Sequence, residues 1–135
     1  MSRKWTRTAA FQYFGAKPRN IRWSWSARNE ADNLVVLVLW EDRFTREDGV
    51  LTYDERLERA NVDWTRFPGN SERIKNLEWA REYCNGIFHV IIAKAKDENA
   101  GIRRVVECQP DDNLRMRIVD LNEETGEFRA VSVPD

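Results

Sequence analysis

Leu34-Val35-Val36-Leu37-Val38-Leu39-Trp40 is an unbroken apolar run of seven residues, three of them valine. It is shorter than a typical buried helix and rich in β-branched side chains, so it predicts a central strand covered on both faces. Just before it, Trp23, Trp25 and Ala27 alternate with Arg22, Ser24, Ser26 and Arg28. That alternation is the period of a strand with one buried face. The polar turn Asn29 to Asn33 separates the two runs, which predicts antiparallel pairing.

Beyond the central strand the pattern changes. Asp54 to Ala60 (DERLERA) has helical composition but one apolar anchor, Leu57, so any helix there is short and exposed. Trp64 and Phe67 are expected to pin the loop that follows. The main helix is predicted over residues 71–84, with Asn70 or Ser71 as N-cap and Asn85-Gly86 as its left-handed stop. Ile74, Leu77, Ala80 and Cys84 share one face, and Trp79 and Tyr83 lie nearly opposite. An exposed tryptophan beside a tyrosine implies a cover or a protein partner. The expected cover is the N-terminal segment around Phe11, Tyr13 and Phe14.

The C-terminal half reads as a meander of Ile87 to Ala95, Ile102 to Cys108, Leu114 to Leu121 and Glu127 to Val133. Six strands and one firm helix make an α+β fold: a strongly curved antiparallel sheet or partly open β-barrel, which limits exposed strand edges. At 135 residues, 41% hydrophobic and 33% charged, residues 1–135 form a single domain able to bury a core. No Pro/Gly/Ser-rich linker or repeat divides them.

Composition also narrows the function. The longest apolar run falls far short of the ~20 residues of a membrane helix. The basic N-terminus lacks the apolar stretch of a secretory signal, so a cytoplasmic location and no membrane partner are expected. Cys84 and Cys108 stand 24 apart, and His89 is the single histidine, so a tetrahedral zinc site has too few ligands. The six glycines are isolated, leaving no phosphate loop and no expected cofactor. His89 reads as a hydrogen-bonded core residue, and no Ser or Cys sits in a Gly-flanked elbow, so nucleophilic catalysis is unsupported. Asp97 and Glu107 resemble the acidic pair of PD-(D/E)xK nucleases, which would hold magnesium. Gln109 stands where that family has lysine, however, and no proline precedes Asp97. A non-enzymatic protein is the favoured reading.

Charge is the strongest functional signal. Residues 1–29 carry seven of the 22 basic residues and no acid, leaving 15 basic and all 23 acidic residues to the rest. Trp5, Phe11, Tyr13, Phe14, Trp23 and Trp25 are interleaved with those cations. Cations neutralise phosphates and aromatic faces stack on bases, so the segment suits RNA or DNA. The candidate binding residues are Tyr13, Lys17, Arg19, Arg22, Trp23, Trp25 and Arg28. On one strand face Trp23 and Trp25 would stand about 7 Å apart and could wall a pocket for a flat ring. The alternative is that the aromatics plug the core and the charges form a solvated rim.

With Arg22-Trp23-Ser24-Trp25 and Trp40, the basic N-terminal region, short antiparallel strands and single packed helix resemble the PUA-like superfamily, which includes EVE and ASCH domains. The resemblance implies an aromatic pocket that receives one base, with basic residues gripping the flanking backbone.

Overall fold

The computed structural model describes residues 5–56, 64–99 and 105–134. Its elements are α1 (Arg7–Tyr13), β1 (Ser26–Asn29), β2 (Leu34–Trp40), β3 (Phe44–Glu47), β4 (Val50–Glu55), α2 (Pro68–Tyr83), β5 (Ile87–Ala95), β6 (Val105–Leu121) and β7 (Phe128–Ser132). The strands form one sheet in the order β1-β2-β5-β6-β7-β4-β3, with β1 and β3 as its edges. The fold is α+β, as expected. The sheet has seven strands rather than six, and it is mixed rather than antiparallel, because β2 and β5 run parallel. The chain leaves β2, builds the β3–β4 hairpin at the far edge, and returns through α2. Such a crossover delivers β5 in the direction of β2.

The central run meets its expectation. Val35, Leu37 and Leu39 join Leu77 and Ala80 of α2 in one buried cluster, while Val36 joins Ala10 and Phe11 of α1 in another. Alternate residues therefore feed opposite faces, each covered by a helix. Leu37 is fully buried, so Leu37→Ala should cost about 2–5 kcal/mol in urea unfolding. A cost under about 1 kcal/mol would contradict this two-sided burial.

β1 pairs antiparallel with β2, as expected, yet the strand is shorter and its burial is different. Residues 21–23 form a turn, Ser24 and Ser26 are buried, and Trp23 and Trp25 are half-buried. Hydrogen bonding explains why the serines can point inward. Ser24 Oγ accepts the Asn20 N–H at 3.0 Å, and Ser26 Oγ accepts from Asn76 Nδ2 of α2 at 2.8 Å. A buried hydroxyl with a partner carries little desolvation penalty.

The β3–β4 hairpin is absent from the sequence-based expectation. Asp48 and Gly49 turn it with φ of 53° and 80°, the paired positive values of a type I′ turn. Asp54 and Glu55 consequently belong to β4 rather than to a helix, and Leu57 to Ala60 lie outside the described residues. β6 is one 17-residue strand where two were expected. Gln109 to Asn113 does not reverse the chain. Gln109, Pro110 and Asp111 pair in register with Ile92, Ile91 and Val90, and the register shifts just beyond them, where His89 pairs with Arg115.

α2 begins at Pro68 with Phe67 as N-cap, ahead of the predicted Asn70 or Ser71, and it has no side-chain cap bond. Proline suits the first helical position because that N–H has no partner in the helix. The predicted stop is observed: Asn85 and Gly86 take φ of 57° and 75°. At the other end of the sheet, Tyr53 of β4 is buried, and its hydroxyl accepts the Trp40 N–H at 3.2 Å. The sheet thus curls until β4 touches the end of β2.

The N-terminal segment does not cover Trp79 and Tyr83. α1 packs on the sheet face opposite α2, where Phe11 and Phe14 cluster with Val36, Ile91, Ala93 and Cys108. That apolar surface on β2, β5 and β6 attracts it more than an aromatic pair at a helix end. Trp79 packs partly against the core beneath α2, and Tyr83 remains 54% exposed.

Candidate polyanion-binding cleft

Between the segment that follows α1 and the first turns of α2 lies a cleft of about 640 Å³. Lys17, Arg19 and Arg28 line one wall, and Glu72, Lys75 and Asn76 of α2 line the other. No aromatic side chain lines it among the described residues.

Backbone geometry brings the first wall into place. Gly15, with φ of 65°, reverses the chain after α1, and a Cβ there would meet Asn29 Nδ2 at 2.7 Å. The reversed chain runs beside β1, with the Lys17 N–H donating to the Arg28 carbonyl at 3.3 Å. Arg19 is then anchored across the cleft, its N–H donating to Glu72 Oε2 at 2.7 Å. Arg28 is held from several sides. Its Nε donates to Asn76 Oδ1 at 3.0 Å, Nη1 lies 3.7 Å from Glu30, and the guanidinium sits 5.3 Å above the Trp79 ring.

Lys17, Arg19 and Lys75 are exposed and have no ion-pair partner among the described residues. Three uncompensated cations around one concavity raise the local positive potential and favour an anion there. Glu72 opposes them. It is 8% exposed, and its Oε1 has no hydrogen-bond partner among the described residues.

The cleft thus gathers Lys17, Arg19 and Arg28 from the sequence-based candidates. The other four lie elsewhere. The Tyr13 hydroxyl donates to Asp112 on β6. The Arg22 carbonyl accepts from Arg7 at 3.3 Å, and its N–H donates to Asn20 Oδ1 at 2.9 Å. Trp23 and Trp25 dock on the start of α2, so close that a Cβ on Gly69 would meet the Trp23 carbonyl at 2.6 Å and the Trp25 ring at 2.9 Å.

The Trp25 ring is also occupied. Phe67 meets it edge-on at 5.9 Å, and the Arg73 guanidinium sits 4.9 Å from its centroid. Arg73 is itself buried, 5.2 Å from both Trp64 and Phe128, and its Nη1 reaches Glu55 Oε2 at 3.2 Å. Arg43 approaches the other Glu55 oxygen at 3.9 Å. This inner ion pair ties α2 to β4.

A second concavity of about 400 Å³ lies along β5 and β6, lined in part by Glu41, Lys94, Glu107 and Asp111. Glu107 faces Lys94 at 3.9 Å, and the Asp97 carboxylate accepts the Asn99 N–H at 3.0 Å. Among the described residues, no group of three His, Cys, Asp or Glu side chains is placed to hold a metal ion. His89 is half-buried against Phe14 at 5.5 Å. Burial, with the Arg115 charge, lowers its pKa, so the neutral form is favoured. Burial pushes the Cys84 and Cys108 thiols up, away from the reactive thiolate.

Lys75, Glu72 and Asn76 were not singled out by sequence reasoning. On a helix such residues read as an ordinary solvated face, and only the fold sets them against Lys17 and Arg19. No family model matches this sequence, and neither a curated protein nor a solved structure is detectably similar to it.

Proposed function

We propose that this domain binds nucleic acid without catalysing a reaction, and that Lys17, Arg19, Arg28 and Lys75 grip its phosphates. The observation that carries this reading is the meeting of three unpaired cations from two distant segments around one cleft. The finer reading, suggested by the PUA-like resemblance, adds a base received by Tyr13, Trp23 and Trp25 beside Arg22. The geometry supports it less well, because Arg73 and Phe67 already occupy the Trp25 ring. Such a role suits the cytoplasm, and no described helix is long and apolar enough to cross a membrane.

Fluorescence anisotropy with short oligonucleotides tests the reading. Affinity should fall steeply with salt, because each neutralised phosphate releases condensed counterions. Replacing Lys17, Arg19 and Lys75 together with alanine should flatten the log–log salt slope by about 2 for a single strand, at ~0.7 per lost contact. If single-stranded DNA, duplex DNA and RNA all fail to bind at low salt, the proposal falls.

A second reading rests on Tyr83, which is exposed beside Trp79 at a ring separation of 5.0 Å. It makes that helix end a contact for a protein partner.

A further inference from the structure

Two carboxylates line the cationic cleft: Glu30, which faces Arg28 at 3.7 Å, and Glu72, which has no cationic side chain beside it among the described residues. A carboxylate among phosphate-gripping cations repels the phosphates they attract, and it offers acceptors where phosphates also offer only acceptors. Glu72 is also more than nine-tenths buried. Its Oε2 is taken by the Arg19 N–H at 2.7 Å, and its Oε1 is shielded from water with no donor among the described residues. Its neighbour Asn76 is held in place by accepting from Arg28 and donating to Ser26. A buried acceptor left without a donor is a standing penalty that a ligand donor can remove.

We propose that the cleft takes the backbone of RNA rather than DNA, with the Glu72 carboxylate turning from its buried position toward the cleft to accept a hydrogen bond from a ribose 2′-hydroxyl. This rests on the phosphate-binding reading above and adds the sugar. A nucleic-acid backbone carries acceptors throughout, and the 2′-hydroxyl is the one donor that it adds in RNA. No aromatic side chain lines the cleft among the described residues, so a stacked base has no platform there, whereas phosphates and sugar do. The volume of about 640 Å³ is in the range of small-molecule sites and admits a short stretch of backbone. DNA in the same place meets the Glu72 charge with nothing to offer it.

The test uses three labelled single strands of one thymine-free, uracil-free sequence: RNA, DNA and 2′-O-methyl RNA. The methylated strand keeps the ribose oxygen and removes its proton, separating donation from shape. Anisotropy titrations at fixed low salt should show RNA binding roughly tenfold tighter than either competitor, as expected for one hydrogen bond to a charged acceptor. Glu72→Gln removes the charge at nearly constant shape and should bring the RNA and DNA affinities together, chiefly by tightening DNA. If wild-type protein binds RNA and 2′-O-methyl RNA equally, or prefers DNA, the ribose reading is overturned while phosphate binding stands. An unchanged RNA-to-DNA ratio in folded Glu72→Gln likewise overturns it. If none of the three strands binds, phosphate binding itself has failed. The wild-type comparison decides even if the variant does not fold.

Discussion

Arg73→Ala is expected to cost about 3–5 kcal/mol of folding stability, the range for removing one partner of a buried ion pair. Arg73 is 2% exposed, and Glu55, 6% exposed, would be left buried with Arg43 at 3.9 Å as its one cationic partner among the described residues. The truncation would also withdraw the guanidinium from Trp25, Trp64 and Phe128. Each face lost removes a cation–π contact of about 0.5–2 kcal/mol and leaves a gap in the packing. Urea unfolding measures the loss, and the double variant Arg73→Met with Glu55→Gln should recover much of it. With both charges gone, no ion remains stranded in the interior. A single-variant cost below about 1 kcal/mol would mean that the pair does not tie α2 to β4.

Phe11→Ala should be comparably severe, at about 3–5 kcal/mol, the usual range for a buried phenylalanine. Phe11 is 1% exposed and belongs to the cluster that seals α1 onto β2, β5 and β6. α1 is only seven residues long, too short to persist as a helix without that contact. Its loosening should therefore uncover Val36, Ile91 and Cys108 together rather than one at a time. Chemical denaturation gives the energy, and faster labelling of the Cys108 thiol reports the uncovered face. A variant with wild-type stability and a protected Cys108 would show that α1 is dispensable to this layer.

What was legible in the sequence was local. The apolar run from Leu34 predicted a strand covered on both sides, because two-sided burial requires apolar residues at both parities. Asn85-Gly86 marked the end of α2, because left-handed backbone favours those residues. The Asp48-Gly49 turn is equally legible, because the paired left-handed positions of a type I′ turn favour Asp-Gly. At Trp23 and Trp25 periodicity misled: alternation alone cannot show that two serine hydroxyls will find N–H donors inside and so point inward.

The sequence alone determined an α+β fold, its principal helix, its central strand and a basic N-terminal segment over residues 1–29. These follow from interactions over a few residues, where side-chain period and turn chemistry act directly. The tertiary structure decided that β5 runs parallel to β2, that α1 and α2 cover opposite faces, and that Lys17 and Arg19 meet Glu72 and Lys75. Those arrangements join residues far apart in the chain, such as Val36 with His89 and Arg19 with Glu72. They depend on which buried surfaces cover one another best, a balance that no local pattern records.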